Sequence, residues 1–470
     1  MIYVYTSSAW NYLPKAQLLA HSVKKYIPQA TMILGLSDRL SDNVDYKKYG
    51  FDEIIPMSEK LCPVPNYMGW VFSHPIVELS TAIKPFILCD LLERPDCEAV
   101  LYFDPDMVLF SPMDDMLKEF ENNSILLTPH VTIPEENYQS IMDNELGALK
   151  WGVYNFGYYG IKNSPEGKRY AAWWRDRVAE WCYDDIPNGI FTDQKWNDIT
   201  PALFDEVKIL KSPRFNVATW NTTQREFAGN LEDGFTINGE PLGFYHFTGF
   251  DSGNHRIMMQ RAKNPAVQEK LVEWYEKKLD EVKSDPLCQL PWAFMNYSDG
   301  SRIPLKHRNY FRKDRGVMNF FKDPFDVTST DNNYRNWYAR NVELTVNDAD
   351  FSKEHCLIRL THIQEEYKAL QESRVSLLGD LDAANRQLKE KDVQVQNLSE
   401  ECKALQDSRV SLLGDLDAAN RQLKDLSQEI NLSKEHCAKL QQELYMIYGM
   451  KSWKLSRFIS KCVHPLRWFK

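Results

Sequence analysis

The chain has 470 residues, of which 56 are basic and 66 acidic, so its formal net charge is −10. Hydrophobic residues make up 43% and aromatic residues 13%, which excludes a chain that is disordered throughout. The acidic balance argues against nucleic-acid binding, which needs a basic surface. No run approaches the roughly 20 apolar residues that a membrane-spanning helix requires.

Cellular location follows from the cysteines and from the first residues. The nine cysteines are scattered and contain no C-x-x-C pair, which indicates reduced thiols and no zinc site. The opening MIYVYTSSAWNYLPK has no basic leader before an apolar run, so it predicts a strand and no secretion signal. We therefore expect a cytoplasmic protein, with two to three folded units at about 150 residues each.

The N-terminal part predicts alternating strands and helices. Strands are expected over 2–8 and 30–38, helices over 14–26 and 78–94, and a further strand over 98–112 that breaks at Asp104-Pro105-Asp106. This alternation predicts an α/β domain with a mainly parallel sheet flanked by helices. Ligands of such sheets bind beyond the carboxyl ends of the strands, where Thr6, Ser7, Asp104 and Asp106 fall.

Asp104 and Asp106 are the strongest chemical signal. They lie one residue apart between the apolar runs VLYF and MVLF. Two adjacent carboxylates repel each other unless a cation neutralises them, and Mg²⁺ or Mn²⁺ prefers such oxygen ligands. Short acidic triplets are also common in loops, and the flanking apolar runs argue against that interpretation here.

The chain changes character near residue 351, where a coiled-coil pattern begins. Residues 368–389 recur as 403–424 with one difference, Glu372 against Asp407, and the offset of 35 residues is five heptads. Leucines sustain a 3–4 spacing across the region, which predicts a coiled coil over 351–448 and self-association through it.

The last segment, 449–470, carries six basic residues and no acidic one, with aromatic residues between them. This composition predicts an amphipathic tail that associates with a membrane surface. A helix that packs on a partner protein is the alternative. Between the α/β domain and the coiled coil, residues 256–350 contain a predicted helix over 266–282 and an aromatic, basic region. They either complete the catalytic domain or link it to the coiled coil.

Several motifs together resemble one family. They are STAIKPF (80–86), LYFDPDMVLFSP (101–112), YNFGYYGIKNS (154–164), FTDQKWNDITPALFDEVKIL (191–210), FNVATWN (215–221) and GFYHFTGFD (243–251). In order and spacing they resemble the GT-A nucleotide-sugar-dependent glycosyltransferases, and more narrowly the bacterial enzymes of surface-polysaccharide (capsule and O-antigen) synthesis that carry a C-terminal coiled coil. The resemblance covers residues 1–255 and implies the Rossmann-like GT-A sheet.

The resemblance also implies a role for individual residues. The end of the first strand would hold the nucleotide base and ribose, here Tyr5, Thr6 and Ser7. The metal that bridges the donor diphosphate would be held by Asp104, Asp106 and His246. An N-x-G segment beside the donor sugar is matched by Asn155 and Gly157, and the D-Q pair at the reacting face by Asp193 and Gln194. The family's phosphate-binding lysine has no counterpart after His246, and Lys84 or Arg256 could replace it on charge alone.

These parallels imply a metal-dependent transfer of a sugar. The cofactors would be Mn²⁺ or Mg²⁺ and a nucleotide-sugar donor, for which a UDP-sugar is the favoured candidate. The acceptor would be a lipid-linked or growing surface glycan at the inner face of the cell membrane, and the anomeric configuration would be retained. Asp193 would deprotonate the acceptor or support the cationic sugar.

Other interpretations of the same residues stay open at this stage. His246 could be a hydrogen-bonded core histidine, Asp193 could cap a helix, and Lys84 could be solvated. The tryptophans and Val178 of 171–182 predict core packing and not a sugar platform. For the whole protein, FDPDMV also fits a haloacid-dehalogenase-type phosphatase with Asp104 as nucleophile and Asp106 as acid/base. A third possibility is a coiled-coil scaffold with an inert α/β domain.

Overall fold

The structure, a computed structural model, describes residues 1–42 and 44–343. It divides into two compact units, Met1–Ile303 and a second that starts at Pro304. The predicted coiled coil and basic tail lie outside the described residues. No helix among residues 1–42 and 44–343 is long and apolar enough to span a membrane.

Fourteen strands and fourteen helices can be assigned in the described residues. The strands are β1 (Ile2–Ser8), β2 (Ala30–Leu36), β3 (Glu53–Pro56), β4 (Ala99–Phe103), β5 (Met107–Leu109), β6 (Ile125–Pro129), β7 (Tyr154–Lys162), β8 (Asp184–Asp185), β9 (Ile190–Phe191), β10 (Val207–Ile209), β11 (Phe227–Asn230), β12 (Gly234–Ile237), β13 (Glu240–Pro241) and β14 (Phe244–His246). The helices are α1 (Leu13–Tyr26), α2 (Tyr67–Ser73), α3 (Ile76–Ala82), α4 (Lys84–Leu92), α5 (Asp114–Lys118), α6 (Tyr138–Ser140), α7 (Leu146–Trp151), α8 (Pro165–Trp181), α9 (Thr200–Leu203), α10 (Asn254–Met259), α11 (Pro265–Asp280), α12 (Leu305–Lys313), α13 (Arg315–Phe320) and α14 (Tyr334–Tyr338).

A seven-stranded mixed sheet forms the centre of the first unit. Its spatial order is β10-β6-β7-β4-β1-β2-β3, and β7 alone runs antiparallel to its neighbours β4 and β6. The other pairs are parallel. The predicted mainly parallel sheet flanked by helices is confirmed. Because β7 is reversed, its first residues lie at the edge where the parallel strands end.

The predicted break at Asp104-Pro105-Asp106 redirects the chain. After β4 the chain leaves the main sheet, and β5 pairs antiparallel with β14. In that ladder Met107 lies opposite His246. Two segments more than a hundred residues apart in sequence therefore meet beside the two aspartates.

The two faces of the sheet are covered by different side chains. On one face Val4 and Leu101 belong to a mixed aliphatic and aromatic core with Leu19 of α1. On the other, Tyr102 stacks on Tyr159, with ring centroids 5.0 Å apart. Trp174 of α8, fully buried, meets Tyr159 edge-on at 5.0 Å. The alternation of side chains along each strand sends neighbours to opposite faces, and both faces are thereby buried.

Two expectations about helices were wrong. The single helix predicted over 78–94 is two helices, α3 and α4, which meet at Ile83. Pro85 has no N–H to donate to the preceding turn, so the hydrogen-bond ladder is interrupted there. In α8, Trp174 and Val178 are buried as predicted, but Trp181 is 39% exposed and lines a surface pocket of about 530 Å³.

The helix predicted over 266–282 is confirmed as α11. Its Leu271 and Tyr275 join a second apolar cluster with Tyr245 and Phe247, and the rings of Tyr275 and Phe247 stack at 3.7 Å. This part of 256–350 therefore packs inside the first unit. In the second unit α12 and α14 pack together, and the Tyr334 hydroxyl donates to the carbonyl oxygen of His307 at 2.7 Å.

Gly167, in the first turn of α8, tests how the helix is seated on the sheet. A Cβ at this position would lie 2.1 Å from the carbonyl oxygen of Lys162. Because the obstacle is backbone, we expect Gly167→Ala to lower the free energy of unfolding by about 1–3 kcal/mol in urea titrations. Lys168→Ala, one residue on, is the control and should change it by about 0.5 kcal/mol or less. Equal stability of the two variants would contradict this seating.

Candidate active site

Backbone hydrogen bonds hold the turn that carries Asp104 and Asp106. The Asp104 N–H donates to the carbonyl oxygen of Gly157 at 2.7 Å, and the Asp104 carbonyl accepts from Met107 N–H at 2.9 Å. The Asp106 carbonyl accepts from Phe247 N–H, also at 2.9 Å. The turn between the two aspartates is thus fixed to β7 and to the residue after β14.

His246 completes a group of three candidate ligand residues. Its Nε2 lies 3.1 Å from Asp106 Oδ1 and 3.8 Å from Asp104 Oδ2. One ligand atom from each of the three residues lies within 4.8 Å of the others. His246 is buried, and besides the two carboxylates it contacts Asn155 and the ring of Trp220. Its contacts with two carboxylates are those expected of the predicted metal ligand.

The surroundings fit a divalent cation. Two carboxylates and an imidazole are ligands that Mn²⁺ accepts, and Mg²⁺ takes the carboxylates. Gly157 keeps the space open, because a Cβ there would lie 2.9 Å from Asp104 Oδ2 and 2.4 Å from the Met107 methyl group. A bulkier residue at 157 would therefore crowd the carboxylates from the β7 side.

Lys84 is the central cation of the site. It is not solvated: the residue is 2% exposed, and its Nζ lies 3.2 Å from both Asp104 Oδ1 and Asp193 Oδ2. It also donates to the carbonyl oxygen of Phe156 at 3.1 Å and lies 4.4 Å above the ring of Tyr102. Burial lowers the pKa of Lys84, but the two carboxylates outweigh burial and raise it, so the amine stays charged.

Asp193 is buried beside Lys84 and does not cap a helix. Its side chain accepts from the Thr192 hydroxyl at 3.2 Å, and the turn that follows, Lys195–Ile199, has no side-chain cap. Burial raises the pKa of Asp193, while Lys84 opposes that shift. Thr192, just before it, has a φ of 46°, an unusual backbone conformation for threonine that turns the chain toward the site.

A side-chain amide contacts His246 on its Nδ1 side, opposite the Nε2 atom that faces the carboxylates. Asn155 Oδ1 lies 3.3 Å from His246 Nδ1, and Asn155 Nδ2 lies 3.3 Å from His130 Nε2. The Gln194 Oε1 accepts from the Phe156 N–H at 2.9 Å. With the Asn155 oxygen toward His246, a neutral His246 carries its proton on Nδ1 and directs the Nε2 lone pair at the carboxylates.

The end of β1 places three buried hydroxyl groups near the site, those of Tyr5, Thr6 and Ser7. Tyr5 is fully buried, and its hydroxyl donates to the carbonyl oxygen of Lys84 at 2.7 Å. The Ser7 hydroxyl donates to the carbonyl oxygen of Ser80. The Thr6 hydroxyl is buried and has no hydrogen-bond partner among the described residues.

The two candidate cations for a phosphate lie in different places. Lys84 is at the centre of the site, whereas Arg256 is at the surface and pairs with Glu269 and Glu276 at 3.0 and 2.9 Å. A third cation, Lys15 of α1, is buried and pairs with Asp251 at 2.6 Å, two residues after Gly249 of the HFTG motif.

Sequence reasoning missed three contributors. His130 belongs to no motif and comes 25 residues before Asn155, so only the structure reveals their contact. Tyr102, whose hydroxyl donates to Asp104 Oδ1 at 2.6 Å, was counted as a strand residue. Lys15 belongs to the apolar-spaced helix α1, where a lysine is expected to be solvated. The one available signal was Tyr102, a residue with a hydroxyl two positions before Asp104 in an otherwise apolar strand.

Charge coupling sets the protonation of the three candidate ligands. Burial opposes ionisation of Asp106, but the charge of His246 outweighs burial, and the pKa of Asp106 falls to about 2; Lys15 contributes in the same direction. Burial lowers the pKa of His246, and the carboxylates of Asp106 and Asp104 raise it further than burial lowers it. Burial lowers the pKa of His130 to about 4, so His130 is neutral at pH 7.

Comparison with known proteins gives limited likeness. No family model matches the chain. Two proteins of Bacillus subtilis (strain 168), Uncharacterized protein YfnF and Uncharacterized protein YfnD, are 29% and 28% identical over 177 and 176 residues. Each alignment covers 37% of this chain, and 57% and 54% of the relatives, so the chain spans about half the length of the curated relatives it matches.

Solved structures show a weak likeness. Galactosyltransferase LgtC, in complex with donor and acceptor sugar analogs, has a TM-score of 0.34 at 15% identity, covering 61% of this chain and 98% of LgtC. Mouse xyloside xylosyltransferase 1 has a TM-score of 0.33 at 14% identity, and the alignment covers 53% of this chain and 98% of that protein. The glycosyltransferase GlyE of Streptococcus pneumoniae TIGR4 has a TM-score of 0.34 at 16% identity, and the alignment covers 59% of this chain and 64% of GlyE. These scores are too low to assign a fold or an activity.

Metal binding by the three ligands should release a proton. With its pKa raised above the ordinary 6.5, His246 is protonated at pH 6.5 and must lose that proton before Nε2 can bind a cation. As the pH rises toward the raised pKa of His246, the Kd for Mn²⁺ should therefore decrease by up to tenfold per pH unit. Above that pKa the Kd should become constant. Calorimetry in two buffers of different ionisation enthalpy measures the released proton.

His246→Gln should abolish this pH dependence, and His21→Gln, at an exposed histidine elsewhere, should keep it. A Kd for Mn²⁺ that does not change with pH in the unsubstituted protein would contradict the assignment of His246 as a ligand.

Proposed function

We propose that the protein is a metal-dependent glycosyltransferase. It moves a sugar from a nucleotide-sugar donor to a glycan or lipid-linked acceptor. The favoured donor is a UDP-sugar. The observation that carries the proposal is the convergence of Asp104, Asp106 and His246 on one site, with Asp193 joined to it through the buried Lys84. The matching motifs of residues 1–255 support the same reaction class.

Asp104, Asp106 and His246 would hold Mn²⁺ or Mg²⁺. When bound, such a cation supplies a Lewis acid for the donor diphosphate, on which negative charge grows as the sugar leaves. The edge of the sheet suits this use, because the groups come from the ends of β4 and β14 and the start of β7.

The protein's own groups would place the donor. Asn155 and Gly157 lie at the start of β7 beside the metal ligands, next to where the donor sugar would bind. Thr6 offers a buried hydroxyl without a partner in the described residues, and Tyr5 supports Lys84 from beneath. In this assignment Tyr5, Thr6 and Ser7 form the floor of the base and ribose site.

Asp193 and Gln194 would act at the reacting sugar. Asp193 keeps a carboxylate in a water-poor pocket, where it can stabilise a cationic sugar more strongly than in water. The side chain of Gln194 is engaged with Phe156 N–H and the carbonyl oxygen of Trp151, so it would fix the loop that presents Asp193. The retention of configuration that the family resemblance implies is part of the proposal.

We assign the diphosphate cation to Lys15. Lys84 already neutralises two carboxylates, and Arg256 is committed to two glutamates at the surface. Lys15 is paired with a single carboxylate, that of the exposed Asp251 in the segment after the HFTG motif, and its charge already acts on Asp106. It would therefore replace the lysine that is missing from the motif.

The remaining parts of the proposal concern residues 344–470, outside the described residues. The coiled coil would join copies of the chain, and the basic tail would bring them to the inner face of the cell membrane. The whole protein would then act on surface glycans as they are built. A cytoplasmic location agrees with a donor made from nucleotides.

A nucleotide-release assay tests the proposal directly. Purified protein is given UDP-, GDP-, dTDP- and CMP-sugars with Mn²⁺, with and without EDTA. We expect release from one donor, reduced at least a hundredfold by EDTA, by Asp106→Asn and by Asp193→Asn. The control Asp114→Asn removes an exposed carboxylate of α5 and should leave the rate within twofold.

Two results would overturn the proposal. Metal-dependent hydrolysis of a simple phosphoester that needs Asp104, without release from any donor sugar, would favour the phosphatase. Absence of both activities in the presence of glycan acceptors, with normal self-association, would favour the scaffold.

Lys15→Met tests the diphosphate cation separately. Removing a charge-assisted hydrogen bond to a phosphate should lower kcat/KM for the donor about ten- to hundredfold. Lys25→Met, at an exposed lysine of the same helix, should stay within about twofold. An unchanged kcat/KM for Lys15→Met would return the role to Lys84.

A further inference from the structure

One helical segment of the first unit exposes its large apolar side chains and buries small or polar ones. Residues 138–151 form α6, a five-residue π-helical turn Ile141–Glu145, and α7. Its outward stripe is apolar and between 42% and 76% exposed: Tyr138, Met142, Leu146 and Leu149. Its inward positions are small or polar: Ser140, Asn144, Gly147 and Ala148.

The spacing of four, four and three residues places the outward side chains on one face of the helix. An ordinary surface helix buries its large apolar side chains and exposes its polar ones. The opposite arrangement here indicates that another apolar phase covers this face, which we call the outward face.

The segment is also longer than the fold requires. It lies in the connection 130–153 between β6 and β7, which are antiparallel neighbours. Such neighbours can be joined by a turn of two residues. Long connections in compact domains usually serve a function.

The C-terminal end of the segment that carries the outward face lies beside the candidate active site. Gln194 Nε2 donates to the carbonyl oxygen of Trp151 at 3.0 Å, and Lys195 Nζ donates to that of Leu149 at 2.6 Å. Two residues after Gly152 the chain enters β7, whose Asn155 contacts His246. Whatever covers the outward face is therefore held next to the reacting groups.

We propose that the outward face inserts into a lipid bilayer surface, the one that carries the acceptor; the identity of that acceptor rests on the proposed function. The face has aliphatic side chains and, at its N-terminal end, the aromatic ring of Tyr138, a residue type that interfacial helices place at the membrane surface. The acidic side chains of the segment are engaged elsewhere, Asp143 with Arg261 and Glu145 with the Glu135 N–H.

The size of the face favours lipid over a second copy of the chain. A helix of this length is about 21 Å long, and a strip one helix diameter of about 10 Å wide has an area of about 210 Å². A stable protein interface needs about 800 Å² from each partner. Insertion into a bilayer needs only a few side chains that enter the acyl boundary.

The test measures partition of the full chain onto phosphatidylcholine vesicles in 1 M NaCl. At this salt the screening length is about 3 Å, which suppresses binding through basic residues such as those of the tail. We expect salt-resistant partition of the unsubstituted chain, lowered tenfold or more by Leu146→Gln/Leu149→Gln. Leu149→Phe keeps the apolar area and should keep the partition. Ile257→Gln, at an exposed apolar residue of α10, is the control and should match the unsubstituted chain.

Three results would overturn the inference: no salt-resistant partition, equal partition of the glutamine variant, or a mass by light scattering that falls in that variant, which would make a second copy the occupant. The melting temperature of each variant checks that it is folded. Vesicle binding needs no donor or metal, so a failed nucleotide-release assay with intact partition would reject the proposed function and leave the lipid surface standing.

Discussion

The site depends on one buried ammonium group. Lys84 Nζ is shared between Asp104 and Asp193 and also bonds to the backbone of β7. Removing one partner of a buried ion pair typically costs about 3–5 kcal/mol, because the other charge stays buried and unpaired. Each of the three segments that meet at Lys84 is therefore held in place by the other two. Asp104, which belongs to the candidate metal site, and Asp193, which is proposed to face the sugar, are coupled through a single side chain.

Much of this could be predicted from the sequence, for identifiable reasons. β1 and β4 are short, apolar and bounded by polar residues, and Asp104 and Asp106 interrupt an apolar run, so local pattern was enough. The place of His246 came from its motif, because no local pattern distinguishes a metal ligand from a core histidine. The roles of the individual site residues remain predictions about activity.

The failures have a common physical cause, which is contact at long range. The burial of Lys84 depends on carboxylates 20 and 109 residues away, and its own neighbours indicate only a helix near Pro85. The contact of His130 with Asn155 depends on the connection between β6 and β7. Trp181 shares the helical spacing of Trp174, but it is the last residue of α8 and contacts the ring of Trp196, 15 residues away.

The β5–β14 ladder has a consequence for how the protein matures. Both aspartates are synthesised well before His246, and the three-residue ladder that joins them closes a loop of more than a hundred residues. Chains that emerge from the ribosome in sequence order hold the carboxylates first, without the imidazole. Closing so long a loop is among the later and slower folding events. If the three residues bind a cation as proposed, tight binding would report that this loop has closed.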